Sequence, residues 1–324
     1  MVKSVFFGTP HFAIPTLTGL IDSPHSVLSV ITQPDVRSGR GRHINESPVK
    51  RLAQTHAIPI LQPKRLNDAS FLDEIAALHP DVGVVAAYGK FMPAELLRIP
   101  RLGMINVHAS LLPKYRGAAP VQRAILAGET KTGITIIRLV QAMDAGPILS
   151  QGTRPIGPNE TSDVVQTGLA ALGAKLLLQT LGDLESNSVT ETEQDHTGAT
   201  FARRLTREDG ILNWHVSAQT VHNQVRGLHP WPHASSYIHG ARYLILRTRV
   251  IDQHNDLFIG TQISQPGEIM EATGDRLIVA AGDGTAIAII EIQSEGRRLL
   301  GTREFLAGHH WKRGDSFGNP FIPS

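Results

Sequence analysis

Short apolar runs alternate with amphipathic stretches through the first half of the chain, and no other feature restricts the fold as much. Ser4–Phe7, Val27–Thr32, Val82–Ala86 and Met104–Val107 are apolar or β-branched and bounded by turn residues, as buried parallel strands should be. Between them Ile14–Ile21, Ser47–Thr55, Ala69–Leu78 and Ala118–Leu126 have helical spacing, and Pro48 follows Ser47 as an N1 proline follows an N-cap. This β-α-β order predicts an α/β fold, an open sheet with helices on both faces. An Ala/Leu-rich helix is predicted over about 162–181, with Thr161 as a cap. Beyond Arg226 the pattern changes to short alternating runs: Ser235–Ile238, Tyr243–Val250, Gly267–Met270, Leu277–Ala280 and Ala286–Ile292. Several short strands at that spacing predict a small β-barrel or sandwich.

The 324 residues suffice for two domains. Residues 1–181 carry a basic excess, 18 Lys and Arg against 12 Asp and Glu, which allows a polyanionic partner. Residues 182–200 are acidic, polar and poor in large apolar groups, as a linker would be. The chain has no cysteine, which excludes disulfides, thiolate metal sites, iron–sulfur clusters and a thiol nucleophile. No unbroken apolar run reaches the ~18–20 residues of a membrane helix. The N-terminus lacks a cleavage signature and reads as the first strand, so no membrane is expected and a cytoplasmic location fits.

Ligands of open parallel sheets gather beyond the carboxyl ends of the strands. There the strand ending Asn106-Val107-His108 places an amide and an imidazole on one side, by period-two alternation. Such a pair suits a reaction through a tetrahedral, negatively charged oxygen, since the amide donates and the imidazole donates or accepts a proton. The candidate orienting carboxylate is Asp144, in a Gly/Pro turn after the strand Thr132–Leu139 that could aim it at the same crevice, although a lone Asp in a turn is more often an Asx-type turn residue. No Gly-x-Ser-x-Gly elbow or Walker motif is present, and Gly8-Thr9-Pro10 departs from the dinucleotide fingerprint. The histidines His108, His196 and His215 lack metal-ligand spacing, so no metal is expected.

Asn106, His108 and Asp144, together with Ser110-Leu111-Leu112-Pro113-x-x-Arg116-Gly117, resemble the formyltetrahydrofolate-dependent formyltransferase family. The second half narrows the resemblance through Phe201-Ala202-Arg203-Arg204-Leu205-Thr206-Arg207-Glu208-Asp209-Gly210-x-Leu212-Asn213-Trp214, through Val225-Arg226-Gly227-Leu228-His229-Pro230-Trp231-Pro232, and through Gly267-Glu268-Ile269. These resemble the branch that formylates methionine on initiator tRNA, over about Val2 to Gly308. The resemblance implies a Rossmann-like catalytic domain over 1–181, a linker over 182–204, an OB-like β-barrel over 205–315 that assists tRNA binding, and a tail over 316–324. It implies 10-formyltetrahydrofolate as co-substrate, initiator methionyl-tRNA as acceptor, and a monomer. Residue by residue, Asn106, His108 and Asp144 match the catalytic trio, and Ser110, Leu111, Leu112 and Pro113 match the folate-binding segment.

Three arginines, Arg37, Arg40 and Arg42, lie among glycines in a stretch too polar for a core. Composition reads it equally as a solvated loop; the resemblance implies a basic loop that enters the end of the tRNA acceptor stem. Arg204 and Arg207 are carried over as tRNA contacts, although the family usually has Lys there and Arg differs in shape. His229 stands where the family often has Asn, and Trp231 between prolines is expected as a hydrophobic plug. Arg242, Arg247, Arg249, Arg297 and Arg298 form a possible basic patch or an ordinary solvated strand face. Two other readings stay open. One is formyl transfer to a small amine or hydrolysis of the folate, against which the Arg-rich loop and barrel argue. The other is a non-catalytic RNA-binding protein, against which the intact trio argues.

Overall fold

The structure, a computed structural model, describes residues 1–38, 43–251 and 264–318. The chain divides into two compact units: Met1–Pro120, Lys131–Pro155 and Gln166–Arg203 form one, and Val121–Thr130, Ile156–Val165 and everything from Arg204 form the other.

In the first unit a seven-stranded sheet has the spatial order Ile148–Pro155, Lys131–Arg138, Met104–His108, Val82–Ala86, Lys3–Gly8, Ser26–Ile31, Ile60–Leu61. The five strands from Met104–His108 onward are parallel; at one edge Lys131–Arg138 pairs antiparallel with Met104–His108 and Ile148–Pro155 antiparallel with Lys131–Arg138. The Ile148–Pro155 strand has no counterpart in the sequence reading. Its burial alternates along its length, as at an edge wetted on one face.

Alternation assigns the two faces of the sheet. Val5, Phe7, Val85 and Met104 share a core with Phe71 and Ile75 of the Ala69–Ala77 helix. Val107 and Ile134 point the other way, to Gly173 of the Ser162–Glu185 helix, where a Cβ would come within 2.7 Å of Val107. Glycine there lets helix and sheet approach closely. That 24-residue helix is long and apolar enough by composition to cross a bilayer. Within the fold, Val165, Leu169, Leu177 and Leu181 of the helix are fully buried. The Ser47 cap forms as the sequence predicts: its hydroxyl accepts from Lys50 N at 3.0 Å.

The second unit is an antiparallel sheet with the order Ala234–Ile238, Ala241–Ile251, Ala286–Ser294, Arg276–Ala280, Ile269–Thr273; Leu300–Gly301 also pairs with Ala286–Ser294. Residues 316–318, expected as the start of a tail, bridge the two edges of this sheet. Ser316 pairs with Glu268 and Gly318 with Tyr237, so the sheet closes on itself. Phe317 is buried and stacks on Trp214, and Trp311, Phe305 and Tyr243 pack beside them. Trp231 is therefore not the plug the sequence suggested. The residue is 51% exposed, and the aromatic interior is filled by residues from other elements.

The helix Ala218–Gly227 holds the two excursions of earlier sequence that belong to this unit. Arg226 donates to the carbonyls of Gly157 and Glu160 and, through Nε and Nη2, to Asn223 Oδ1. Arg123 reaches Asp209 with two hydrogen bonds of 3.1 and 2.9 Å. His222 is buried between Thr248 Oγ1 and the Pro158 carbonyl.

Burial pushes the His222 imidazole below its ordinary 6.5, the Pro158 carbonyl pulls it back, and the Arg226 charge adds to the depression. A group harder to protonate folded than unfolded contributes stability while neutral, above the unfolded value. That stability is lost as pH falls through the folded value. The melting temperature is accordingly expected to decline between about pH 7 and pH 5, and His222→Gln should remove part of that decline. Superimposable pH–melting curves for the two proteins would refute the assignment.

Candidate active site

Met104, Asn106 and His108 occupy one side of their strand. Met104 lies in the core, Asn106 is half-buried, and His108 reaches the carboxyl end with little exposure. Pairing of His108 with Thr135 and of Asn106 with Ile137 fixes this strand against Lys131–Arg138. Asp144 follows that strand, in the turn before Ile148–Pro155, at φ +48°. A non-glycine residue there is held at a cost of about 1–3 kcal/mol, and such positions concentrate at functional sites. Tyr115 is a second, at φ +62°.

These elements converge. Asp144 Oδ2 accepts from Gly117 N at 2.8 Å and lies 3.6 Å from His108 Nδ1. His108 Nε2 donates to the Tyr115 carbonyl at 3.0 Å. Nε2 is therefore committed as a donor, whereas Nδ1, beyond normal hydrogen-bond length from the carboxylate, stays open, an acceptor in the neutral ring and a donor in the imidazolium. Asn106 has no side-chain partner among the described residues. Its amide is half-buried and available to a ligand. Here the arrangement departs from a simple pair of donors: one amide and one ring nitrogen are open, and the other ring nitrogen orients the ring.

The Ser110–Pro113 segment is built from within. Ser110 is buried and its hydroxyl donates to Lys114 O at 2.6 Å, while its carbonyl accepts from Thr135 Oγ1 at 2.7 Å. Leu112 is also buried; its N–H donates to Thr135 Oγ1 and its carbonyl accepts from Gln151 Nε2. Leu111 and Pro113 are the two that keep surface. Ser110 and Leu112 thus shape the segment, and any ligand contact falls to Leu111, Pro113 and main chain. Phe91, Val140 and Met143 are exposed on the loops after Val82–Ala86 and Lys131–Arg138. Phe91 supplies apolar surface at the carboxyl edge, whereas the loop bearing Val140 and Met143 leaves its strand beside Met104.

Residues missed at the sequence level lie in the segment expected to be a linker. Thr192 pairs with Ile148, Phe201–Ala202 pairs with Arg116–Gly117, and between them Gln194 is buried. Gln194 Nε2 donates to the carbonyls of Asp144 and Gly146, and its Oε1 accepts from Arg116. An isolated Gln in an acidic, polar run carries no signal of this.

The predicted tRNA contacts are dispersed. Arg37 lies in a short ribbon, Val36–Ser38 paired with His43–Asn45, and Arg40 and Arg42 lie outside the described residues. Arg204 and Arg207 are exposed in the second unit. Of the barrel arginines, Arg242 pairs with Glu295 and Arg247 with Glu291. Arg297 and Arg298 have no acidic partner among the described residues and border an open cavity of about 760 Å³, whose lining includes Tyr243, Ser294 and His309. Among the described residues no cluster of three or more His, Asp or Glu could hold a metal.

Comparison with known proteins gives this geometry a family. The formyl transferase profile matches residues 2–181, and the profile of the formyl transferase C-terminal domain matches 204–310. The chain belongs to the formyl transferase family, and it is an enzyme of one-carbon group transfer. Among its relatives, the methionyl-tRNA formyltransferase of Magnetococcus marinus is 40% identical over 98% of each chain. That of Methylobacillus flagellatus is 42% identical over 98% of this chain and all of the other. Solved structures share the fold at lower identity. WlaRD, a sugar 3N-formyl transferase solved with dTDP and 5-N-formyl-THF, has a TM-score of 0.66 at 19% identity, covering 92% of this chain and 99% of that one. HypX from Aquifex aeolicus, in complex with tetrahydrofolic acid, has 0.63 at 16%, covering 98% of this chain and 50% of that one.

Proposed function

We propose that this enzyme transfers the formyl group of 10-formyltetrahydrofolate to the α-amino group of methionine on initiator methionyl-tRNA. The observation that supports this reading is the approach of Asp144 to His108, two residues along the strand from Asn106, in a chain about 40% identical over nearly its full length to methionyl-tRNA formyltransferases. The folate, a substrate, brings the activated formyl group. The protein's task is to hold and polarise it.

Attack of the neutral amine on the formyl carbon forms the new C–N bond and places negative charge on the formyl oxygen. The Asn106 amide and, with the His108 ring in its imidazolium form, the Nδ1–H stabilise that charge. Asp144, 3.6 Å from Nδ1, holds the ring toward the oxygen and takes the proton that the attacking amine must lose. That proton passes to the folate nitrogen as its bond to the formyl carbon breaks, so charge and protons balance. Arg297 and Arg298 supply a second, electrostatic contact to the tRNA backbone, joined by Arg204 and Arg207 and by Arg37, Arg40 and Arg42.

The test is incubation with formyltetrahydrofolate and methionyl-initiator tRNA, with uncharged tRNA and free methionine as controls. Formylation confined to the charged tRNA is expected; equal formylation of free methionine, or none of either, would overturn the proposal. A subsidiary prediction concerns the barrel. Arg297→Ala with Arg298→Ala should raise KM for tRNA, leave kcat intact, and reduce the slope of log affinity against log salt by about two. An unchanged slope would remove the cavity from the interface.

A further inference from the structure

We propose that Gln194 is the positioning residue of this active site: a single buried amide that ties the Asp144 turn to the segment orienting His108. This rests on the function proposed above. The two groups it joins are both strained and both close to the chemistry. Asp144 lies at φ +48° and Tyr115, whose carbonyl fixes His108 Nε2, at φ +62°. Neither conformation is one that its own residue favours, so each needs an outside hold.

Gln194 provides it on both sides. Its Nε2 donates at 2.8 Å to the Asp144 carbonyl and at 2.7 Å to the Gly146 carbonyl. Its Oε1 accepts at 3.2 and 2.7 Å from Nε and Nη2 of Arg116, the residue next to Tyr115. Both amide hydrogens and the amide oxygen are satisfied, and the side chain is excluded from solvent. The backbone around Gln194 is fixed in turn. Thr192 pairs with Ile148 on one side; on the other, Thr200 accepts from Arg116 N and, through its hydroxyl, from Tyr115 N. Arg116 Nη2 also contacts His196 Nδ1 at 2.9 Å.

The chemistry of an amide is required here. A glutamate would keep the bonds from Arg116 but present oxygen to the two carbonyls, with a second carboxylate close behind them. A methionine would keep the volume and lose both sets. The acidic segment that separates the two domains in sequence is, at this one residue, part of the catalytic frame.

The experiment uses the full chain with Gln194→Met and Gln194→Glu, assayed for formylation of methionyl-initiator tRNA. Gln194→Glu retains size and the Arg116 pairing, so it keeps the fold if Gln194→Met does not. Displacement of Asp144 by a fraction of an ångström to 1 Å is expected to lower kcat about tenfold to a hundredfold, with KM for both substrates unchanged. In an Asp144→Asn background the same substitutions should produce a smaller loss, because part of the effect acts through that carboxylate and the remainder through the segment orienting His108. A kcat equal to wild type, an equal loss in both backgrounds, or a rise in KM alone would overturn the proposal. Absence of formylation by the wild-type protein would instead reject the function on which it rests.

Discussion

His108→Ala is expected to turn over methionyl-tRNA on the order of a thousandfold more slowly than wild type, the loss that follows removal of the oxyanion donor proposed for this residue. The structure limits what else the substitution can do. His108 contributes one side-chain hydrogen bond, to Tyr115 O, and its strand is held by pairing on both sides. Melting should therefore change by only a few degrees while kcat collapses. Asn106→Ala removes a donor that has no side-chain partner among the described residues, so its effect, about a hundredfold or more on kcat, should come with no loss of stability. Single-turnover formylation with saturating tRNA separates the step from binding. Turnover by His108→Ala within tenfold of wild type would show that the imbalance of charge is met elsewhere.

Gly133→Ala should lower the melting temperature by at least about 5 °C, a cost of 1–3 kcal/mol or more. A Cβ at Gly133 would lie 2.1 Å from the carbonyl oxygen of Gly152 in the paired strand and 2.4 Å from Leu111 Cδ2. The first contact is backbone, and no rotamer relieves it; the strands must part. The second displaces a leucine of the Ser110–Pro113 segment, so the variant should also lose affinity for the folate. Gly152→Ala is the internal control: its Cβ would meet only the tip of Leu172, at 3.3 Å, and a leucine can yield. Equal melting temperatures for Gly133→Ala and Gly152→Ala, measured by scanning calorimetry, would contradict the packing described here.

Much of the site was legible because its signals are local. Alternation along five residues places Asn106 and His108 on one side, and a Gly/Pro turn places Asp144 at the end of the next strand. The family motif carries the rest of that inference. The Ser110–Pro113 segment stands out in the sequence as a unit but not in its parts, since only contacts reveal that Ser110 bonds its own turn. Trp231 misled for the complementary reason. Two prolines describe its backbone, but whether an indole is inside depends on whether other rings already fill the interior.

What the sequence determined by itself is everything with a short period. Buried strands, amphipathic helices, the Ser47–Pro48 helix start and the change from α/β to all-β order follow from which neighbours a residue has along the chain. The tertiary structure alone decided the contacts between residues far apart. Residues 121–130 and 156–165 join the second unit, residues 316–318 close the barrel, and Gln194 reaches back 50 positions to the Asp144 carbonyl. Periodicity records how a segment meets a surface. Which surface it meets is settled only when buried polar groups and unpaired strand edges must all find partners at once.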